Sequence, residues 1–194
     1  MRGTSLVFLA SNAFAMNPTP ASTQFVTFSE PAMNFTFSYP DDFRPLPPQQ
    51  PLLGECLTTP LRLAGKSDRP YERVLINEID YDCLKRDTPQ IGPLTRSTSN
   101  NLMNVYGHLE MGEPIDFVLD GHPAAFIKVT ADVNGPLKGL EPGMKLYAAQ
   151  TCVLLGHRVA CWNVLSSDQT RLSILSAGKV SINGHPGQAW VPQR

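Results

Sequence analysis

The sequence predicts a single α+β domain in which an antiparallel sheet is flanked by helices as an α/β/α sandwich. Three observations predict it. Short runs of alternating apolar and polar residues recur along the chain, each bounded by Gly, Pro, Asn or Asp. Two-residue reversals at Asp120-Gly121, Gly156-His157 and Asn183-Gly184 join neighbouring runs, and such tight turns make antiparallel partners. Helical periodicity is confined to one good stripe and two short stretches, so strands and helices segregate rather than alternate. The 194 residues, 42% hydrophobic and 17% charged, suffice for one packed core spanning residues 24–194. The 14 glycines and 18 prolines favour many turns and short elements.

Taken in order, Phe25-Val26-Thr27-Phe28 is a first strand, turned at Glu30-Pro31. Phe35, Phe37 and Tyr39 alternate with Thr36 and Ser38 in a half-buried strand that Pro40 ends. Six prolines between residues 40 and 60 leave room only for a helical turn at Leu52 to Leu57. Glu72 to Tyr81 is the next strand; Leu75, Asn77, Ile79 and Tyr81 share one face, and Val74, Ile76, Glu78, Asp80 and Asp82 the other. Pro89, Gly92 and Pro93 read as a turn. Ser97 or Ser99 then caps a helix from about 98 to 110, with Leu102, Val105, Tyr106 and Leu109 as its apolar stripe. Strands at Ile115–Leu119 and Pro123–Val133 follow, then a loop at 134–143. Tyr147–Leu155 and Arg158–Leu165 form a hairpin. Ser167–Ala177 holds a short helix with Gly178 as its left-handed C′ residue. Val180–Ile182 and Gln188–Val191 close the chain.

Four cysteines, Cys56, Cys83, Cys152 and Cys161, contain no CxxC spacing, which removes zinc-ribbon and thioredoxin-like readings. A type II′ turn at Gly156-His157 sets 155 opposite 158, and hence Cys152 opposite Cys161. That pair falls in the non-hydrogen-bonded class, where Cα atoms lie about 4.5 Å apart, inside disulfide range. Cys56 and Cys83 then pair by elimination. Residues 1–15 read as a short export signal: Arg2, the apolar run Leu6 to Ala10, and the small-x-small site Ala13-Phe14-Ala15. Residues 16–23 read as a linker. Signal and disulfides together point to a periplasmic or extracellular chain.

One pattern occurs twice: Val118-Leu119-Asp120-Gly121-His122-Pro123 and Ser181-Ile182-Asn183-Gly184-His185-Pro186. Both are strand, type I′ turn, His-Pro, strand. Each proline sits opposite a strand residue (Val118, Ser181) in a non-hydrogen-bonded pair, where no N–H is required.

Chemistry-bearing motifs are few. His122 and His185, with His108 or His157, are candidate metal ligands, but no two have close ligand spacing, and packing beside the prolines accounts for them. Glu78, Asp80 and Asp82 on one strand face read as a solvated face rather than a calcium or acid–base cluster, because strand neighbours two apart are about 7 Å from each other. GxSxG, HExxH, the P-loop and GxGxxG do not occur. Trp162 and Trp190 read as core or sheet-face residues rather than ligand platforms. A net charge of −1 gives no footprint for nucleic acid, and no apolar stretch reaches the length of a membrane-spanning helix. No catalytic, cofactor-binding or metal residue is assigned.

The run Phe35 to Phe43 (Phe-Thr-Phe-Ser-Tyr-Pro-Asp-Asp-Phe) resembles the opening of the PsbP-like proteins, an aromatic strand followed by Tyr-Pro-x-x-aromatic. Leu119 to Val129 resembles a later strand of that family. The family shares its fold with a Ran-binding nuclear-import factor and with bacterial secreted proteins. Phe43 stands where many relatives carry Trp, and the cysteines are no part of the general pattern. The resemblance implies an antiparallel sheet sandwiched by helices and a non-enzymatic assembly or binding role; it transfers no site residue. The functional expectation is an exported non-catalytic domain that binds a partner protein or envelope component. The alternatives are a small secreted hydrolase with a dispersed site, and a small-molecule or metal binder using loop 134–143 or the His-Pro turns.

Overall fold

The computed structural model describes residues 24–47, 55–66, 71–135, 140–176, 178–185 and 187–189. The export signal, the linker, Pro186 and Trp190 lie outside the described residues, as do parts of the 52–57 turn, the 134–143 loop and the last strand.

Two antiparallel sheets form the scaffold. The smaller contains β1 (Phe25–Glu30), β2 (Phe35–Pro40), β11 (Lys179–Ile182) and β12 (Gln188–Ala189), in the order β1-β2-β11-β12. The larger contains β3 (Arg44–Pro45), β4 (Leu57–Ala64), β5 (Arg73–Asp80), β10 (Arg158–Ser166), β9 (Lys145–Leu155), β8 (His122–Val133) and β6 (Gly107–Met111), in that order. β7 (Ile115–Leu119) pairs with the first half of β8, and β6 with the second half, so together they make one edge interrupted at Gly112–Pro114.

Alternation along β8, β9 and β10 gives the large sheet two buried faces. On one, Phe126, Ala149, Trp162 and Val164 meet Phe35 and Phe37 of the small sheet and Leu172 and Leu175 of α3 (Gln169–Ser176). Trp162 is fully buried, its ring 6.5 Å from that of Phe35 and 6.2 Å from that of Phe37. On the other face, Ile127, Val129, Ala131 and Leu146 meet Met103 of α2 (Ile91–Met103). The expected α/β/α layering is therefore present, with a small second sheet sharing the α3 layer.

The cysteine hairpin has its predicted register: Leu155 faces Arg158, and Cys152 faces Cys161 at a Cα separation of 4.1 Å, bridged as a disulfide. Cys56 and Cys83 form the second bridge, with Cα atoms 5.4 Å apart. It ties the chain entering β4 to α1 (Tyr81–Leu84), a single turn capped by Asp80, whose carboxylate accepts from the Cys83 N–H at 2.9 Å. Tyr81 and Asp82 are thus helical rather than the end of a strand.

Four local expectations are corrected. The helix runs from 91 to 103, not 98 to 110; Gly92 and Pro93 lie in its first turn, where no N–H needs an intrahelical acceptor. Gln90, not Ser97 or Ser99, is its N-cap residue, and Leu109 belongs to strand β6. Strand β4 passes through the proline-rich region because Pro60 falls in a register shift between Thr58 and Leu61, where a missing N–H is tolerated; Leu57 begins this strand instead of ending a helical turn. The β11–β12 hairpin pairs Lys179 with Ala189 and Val180 with Gln188, one residue out of the predicted register, because one more residue is accommodated in its connection. Gly178 is not in the left-handed region. It is needed for close approach, since a Cβ there would lie 2.3 Å from the carbonyl oxygen of Ser38.

Candidate functional site

The register gathers the turns at one end of the sandwich. His122 opens β8, Leu155 ends β9, Arg158 opens β10 and Asp80 ends β5, and these positions neighbour one another across the sheet. The two His-Pro turns therefore meet, although about sixty residues separate them in sequence. Asp120 and Gly121 have φ of 54° and 82°, Asn183 and Gly184 of 55° and 75°, the left-handed pair of a type I′ turn.

Each turn reaches into the other. The Asp120 carboxylate accepts from the Ile182 N–H at 3.3 Å and lies 3.8 Å from His185 Nδ1. In return, Asn183 Nδ2 lies 3.3 Å from His122 Nε2. The β1–β2 turn joins them: the Asn183 N–H donates to the Asn34 carbonyl at 2.8 Å, and Asn34 Nδ2 donates to Asn183 Oδ1 at 3.2 Å. The repeated motif is thus a docking device between the two sheets, and both of its histidines stand against the facing turn. Among the described residues no three His, Cys, Asp or Glu side chains converge as a metal site. His157 faces Asp82 at 3.1 Å, and His108 sits at the far end of the sheet opposite Asp132.

Beside the turns lies a cleft of about 330 Å³ lined by Ala32, Met33, His122, Leu155, Arg158 and Asn183. The Arg158 guanidinium is held by Glu78 at 3.2 Å and Asp80 at 3.4 Å. Glu78 and Asp80 are therefore not a solvated face, being paired with Arg158 and 13% and 26% exposed, whereas Asp82, on α1, is solvated as expected, its side chain 76% exposed. Burial pushes the Glu78 carboxyl above its usual range, Arg158 pulls it back, and Glu30 and Asp80 push it up again. A carboxyl raised in the fold binds a proton more readily there than in the unfolded chain. Its favourable contribution is complete below the unfolded value near 4.5 and is lost as pH rises through the folded value. Carboxyl-resolved NMR is expected to show Glu78 titrating above 4.5, and Arg158→Met to move it further up. A fall on removing Arg158 would contradict this account of the cleft.

A second polar group was not legible in sequence. Under α2, buried Gln150 donates to Thr98 Oγ1 at 2.5 Å and accepts from Asn163 Nδ2 at 3.4 Å, beside the Cys152 sulfur at 3.3 Å. The Thr95 carbonyl accepts from Gln150 as well, at 3.4 Å, and Thr95 and Ser99 are both fully buried. The polar run Thr95 to Asn101 is its only trace in the sequence, and there it reads as capping.

On the same sheet face, beyond α2, register lines up three arginines. Arg44 and Arg73 both flank Ala64, and Arg62 lies two residues along β4 from it. Arg44 Nε donates to the Gly65 carbonyl, Arg62 to that of Pro47 and Arg73 to that of Glu72. Burial lowers the Arg73 pKa, and Arg44 and Arg62 lower it further, against an opposing effect of Tyr106.

No family model and no curated protein sequence matches this chain. Among solved structures it is similar to cyanobacterial PsbP (CyanoP) from Synechocystis sp. PCC 6803, covering 87% of this chain and 98% of that one at a TM-score of 0.55 and 8% identity. A weaker likeness, TM-score 0.37 and 13% identity over 73% of this chain and 82% of the other, is to PA94 from Pseudomonas aeruginosa, a protein of unknown function. The element order, the layered antiparallel architecture and the likeness to CyanoP together make this a PsbP-like fold.

Proposed function

We propose that the chain is an exported, non-catalytic domain that binds a partner protein or an envelope component, in the periplasm or outside the cell. The observation that carries the reading is the pairing of all four cysteines in two disulfides, which persist in oxidising compartments. The export signal read in residues 1–15 and the PsbP-like fold are in keeping with it. The non-catalytic half rests on how the polar groups of the cleft are spent: Arg158 on Glu78 and Asp80, His122 beside Asn183, Asp120 on the facing turn.

Both halves are testable. Alkaline phosphatase, active only where its own disulfides form, is fused to the C-terminus; the fusion is expected to be active in cells and inactive once residues 1–15 are deleted. An inactive full-length fusion would refute export. A panel of ester, glycoside and peptide substrates is expected to show no turnover; turnover abolished by His122→Ala would establish the hydrolase alternative instead.

A further inference from the structure

We infer that α2 is a lid: it lifts from the sheet while the rest of the domain stays folded, and in lifting it exposes the buried Cys152–Cys161 bridge to thiol–disulfide exchange.

The cover over this bridge is uneven. Of the buried side chains of α2, the apolar Ile91 and Met103 stand at its two ends, and Thr95 and Ser99 lie between them. Ile91 and the half-buried Leu94 join Tyr81, Ala125 and Val159 around the two sulfurs, and Thr98 Oγ1 lies 3.9 Å from Cys152 Sγ. Cys152 is fully buried and Cys161 is 3% exposed, so a reagent in solution does not reach the sulfurs while α2 is seated.

Polar groups hold the middle of α2 down, and water can replace them. Gln150 donates to Thr98 Oγ1 and to the Thr95 carbonyl. The seated helix leaves Ser99 Oγ buried with no hydrogen-bond partner, and so is Asn163 Oδ1 beside Gln150. Such groups weaken the closed state, because water satisfies them once the seam opens. Neither end of the helix adds a strong anchor. Gln90 makes no side-chain capping bond, and Asn104 ends the helix in the right-handed region rather than with a left-handed glycine cap. The strands that carry the cysteines are held differently. β9 and β10 pair with each other at nine positions and have β8 and β5 on either side. Local opening therefore parts α2 from strands that stay paired, as elements of low local stability part from a stable core.

The exchange that follows opening needs an external dithiol. Its thiolate attacks one sulfur, the S–S bond breaks, and the other sulfur leaves as a thiolate that takes up a proton. The second thiol of the reagent then closes its own disulfide and releases the attacked cysteine, so two electrons pass from the dithiol to the bridge.

The test is reduction of the native full chain by excess dithiothreitol, with each bridge followed by differential alkylation and peptide mapping. While α2 closes faster than the thiolate attacks, the rate follows the open fraction. Ser97 is exposed in the middle of α2. Ser97→Ala is expected to slow reduction of Cys152–Cys161 about twofold and Ser97→Gly to speed it about twofold, following their helix propensities. Both are expected to leave unchanged the rate at Cys56–Cys83, whose Cys83 is exposed on α1. Far-UV circular dichroism checks that both variants are folded, and the alanine variant, which favours the helix, reads the effect by itself. Urea below the unfolding transition is expected to change the rate little, because a local opening exposes little surface. Hydrogen exchange is expected to reach the α2 amides ahead of those of β9 and β10. Equal rates at Cys152–Cys161 in the two variants, a rate that rises with urea at the full unfolding slope, or α2 amides as protected as those of β9 would overturn the proposal. So would a bridge that resists the dithiol until the whole chain unfolds.

Discussion

Arg171→Met is expected to destabilise the domain by about 3–5 kcal/mol, the range for removing one partner of a buried ion pair. Arg171 leaves α3 with its side chain 11% exposed; it donates to Asp42 at 2.6 Å and to Glu72, 3% exposed, at 3.1 Å. Its guanidinium also stands 5.8 Å over the Phe43 ring. Methionine keeps the apolar stem over Phe43 but removes the charge, leaving the Glu72 carboxylate in the interior without its Arg171 partner. For a chain of this size such a loss lowers Tm by roughly 10 °C or more. Urea unfolding measures it, and a double variant that adds Glu72→Gln is expected to recover part of the loss. A change under about 1 kcal/mol would show that α3 is held by Leu172 and Leu175 alone, since exposed ion pairs have that small value.

Replacing Cys56 and Cys83 together with alanine is expected to cost about 3–4 kcal/mol, the loop-entropy value for a bridge spanning 27 residues. The Cys152–Cys161 bridge spans 9, which lowers the value to about 2–3 kcal/mol. The β9–β10 hairpin already holds those two positions opposite each other, so the smaller effect belongs to this bridge. Thermal unfolding of the two double variants orders them, and reductant is expected to bring the native chain to the stability of the variant lacking all four sulfurs. The reverse order would mean that the β9–β10 pairing depends on its sulfur bridge.

The parts legible in sequence were those fixed by local turn chemistry. Gly156-His157 and Asp120-Gly121 each set a register that ran unbroken along its hairpin, because the apolar runs on either side fit only that alignment. Where tertiary context decided, the sequence misled. The inner face of α2 buries the polar Thr95 and Ser99, with Thr95 and Thr98 bonded to Gln150, so no apolar stripe marks that stretch, and the stripe at 102–109 drew the helix too far along the chain. Pro60 masked β4 because nothing local announces a bulge. The crossing of the two His-Pro turns and the arginine row both depend on which strands become neighbours, which no single window of sequence contains. The folding of Asp42 and Glu72 onto Arg171, 129 and 99 residues away, is hidden for the same reason.

Peptide mapping of the natively produced chain, digested without reductant, tests the disulfide framework directly. The structure predicts two cross-linked species, one joining the peptides of Cys152 and Cys161 and one joining those of Cys56 and Cys83, with no free thiol. Four alkylatable cysteines, or a bridge from either hairpin cysteine to Cys56 or Cys83, would contradict both the strand register and the oxidising compartment inferred from it.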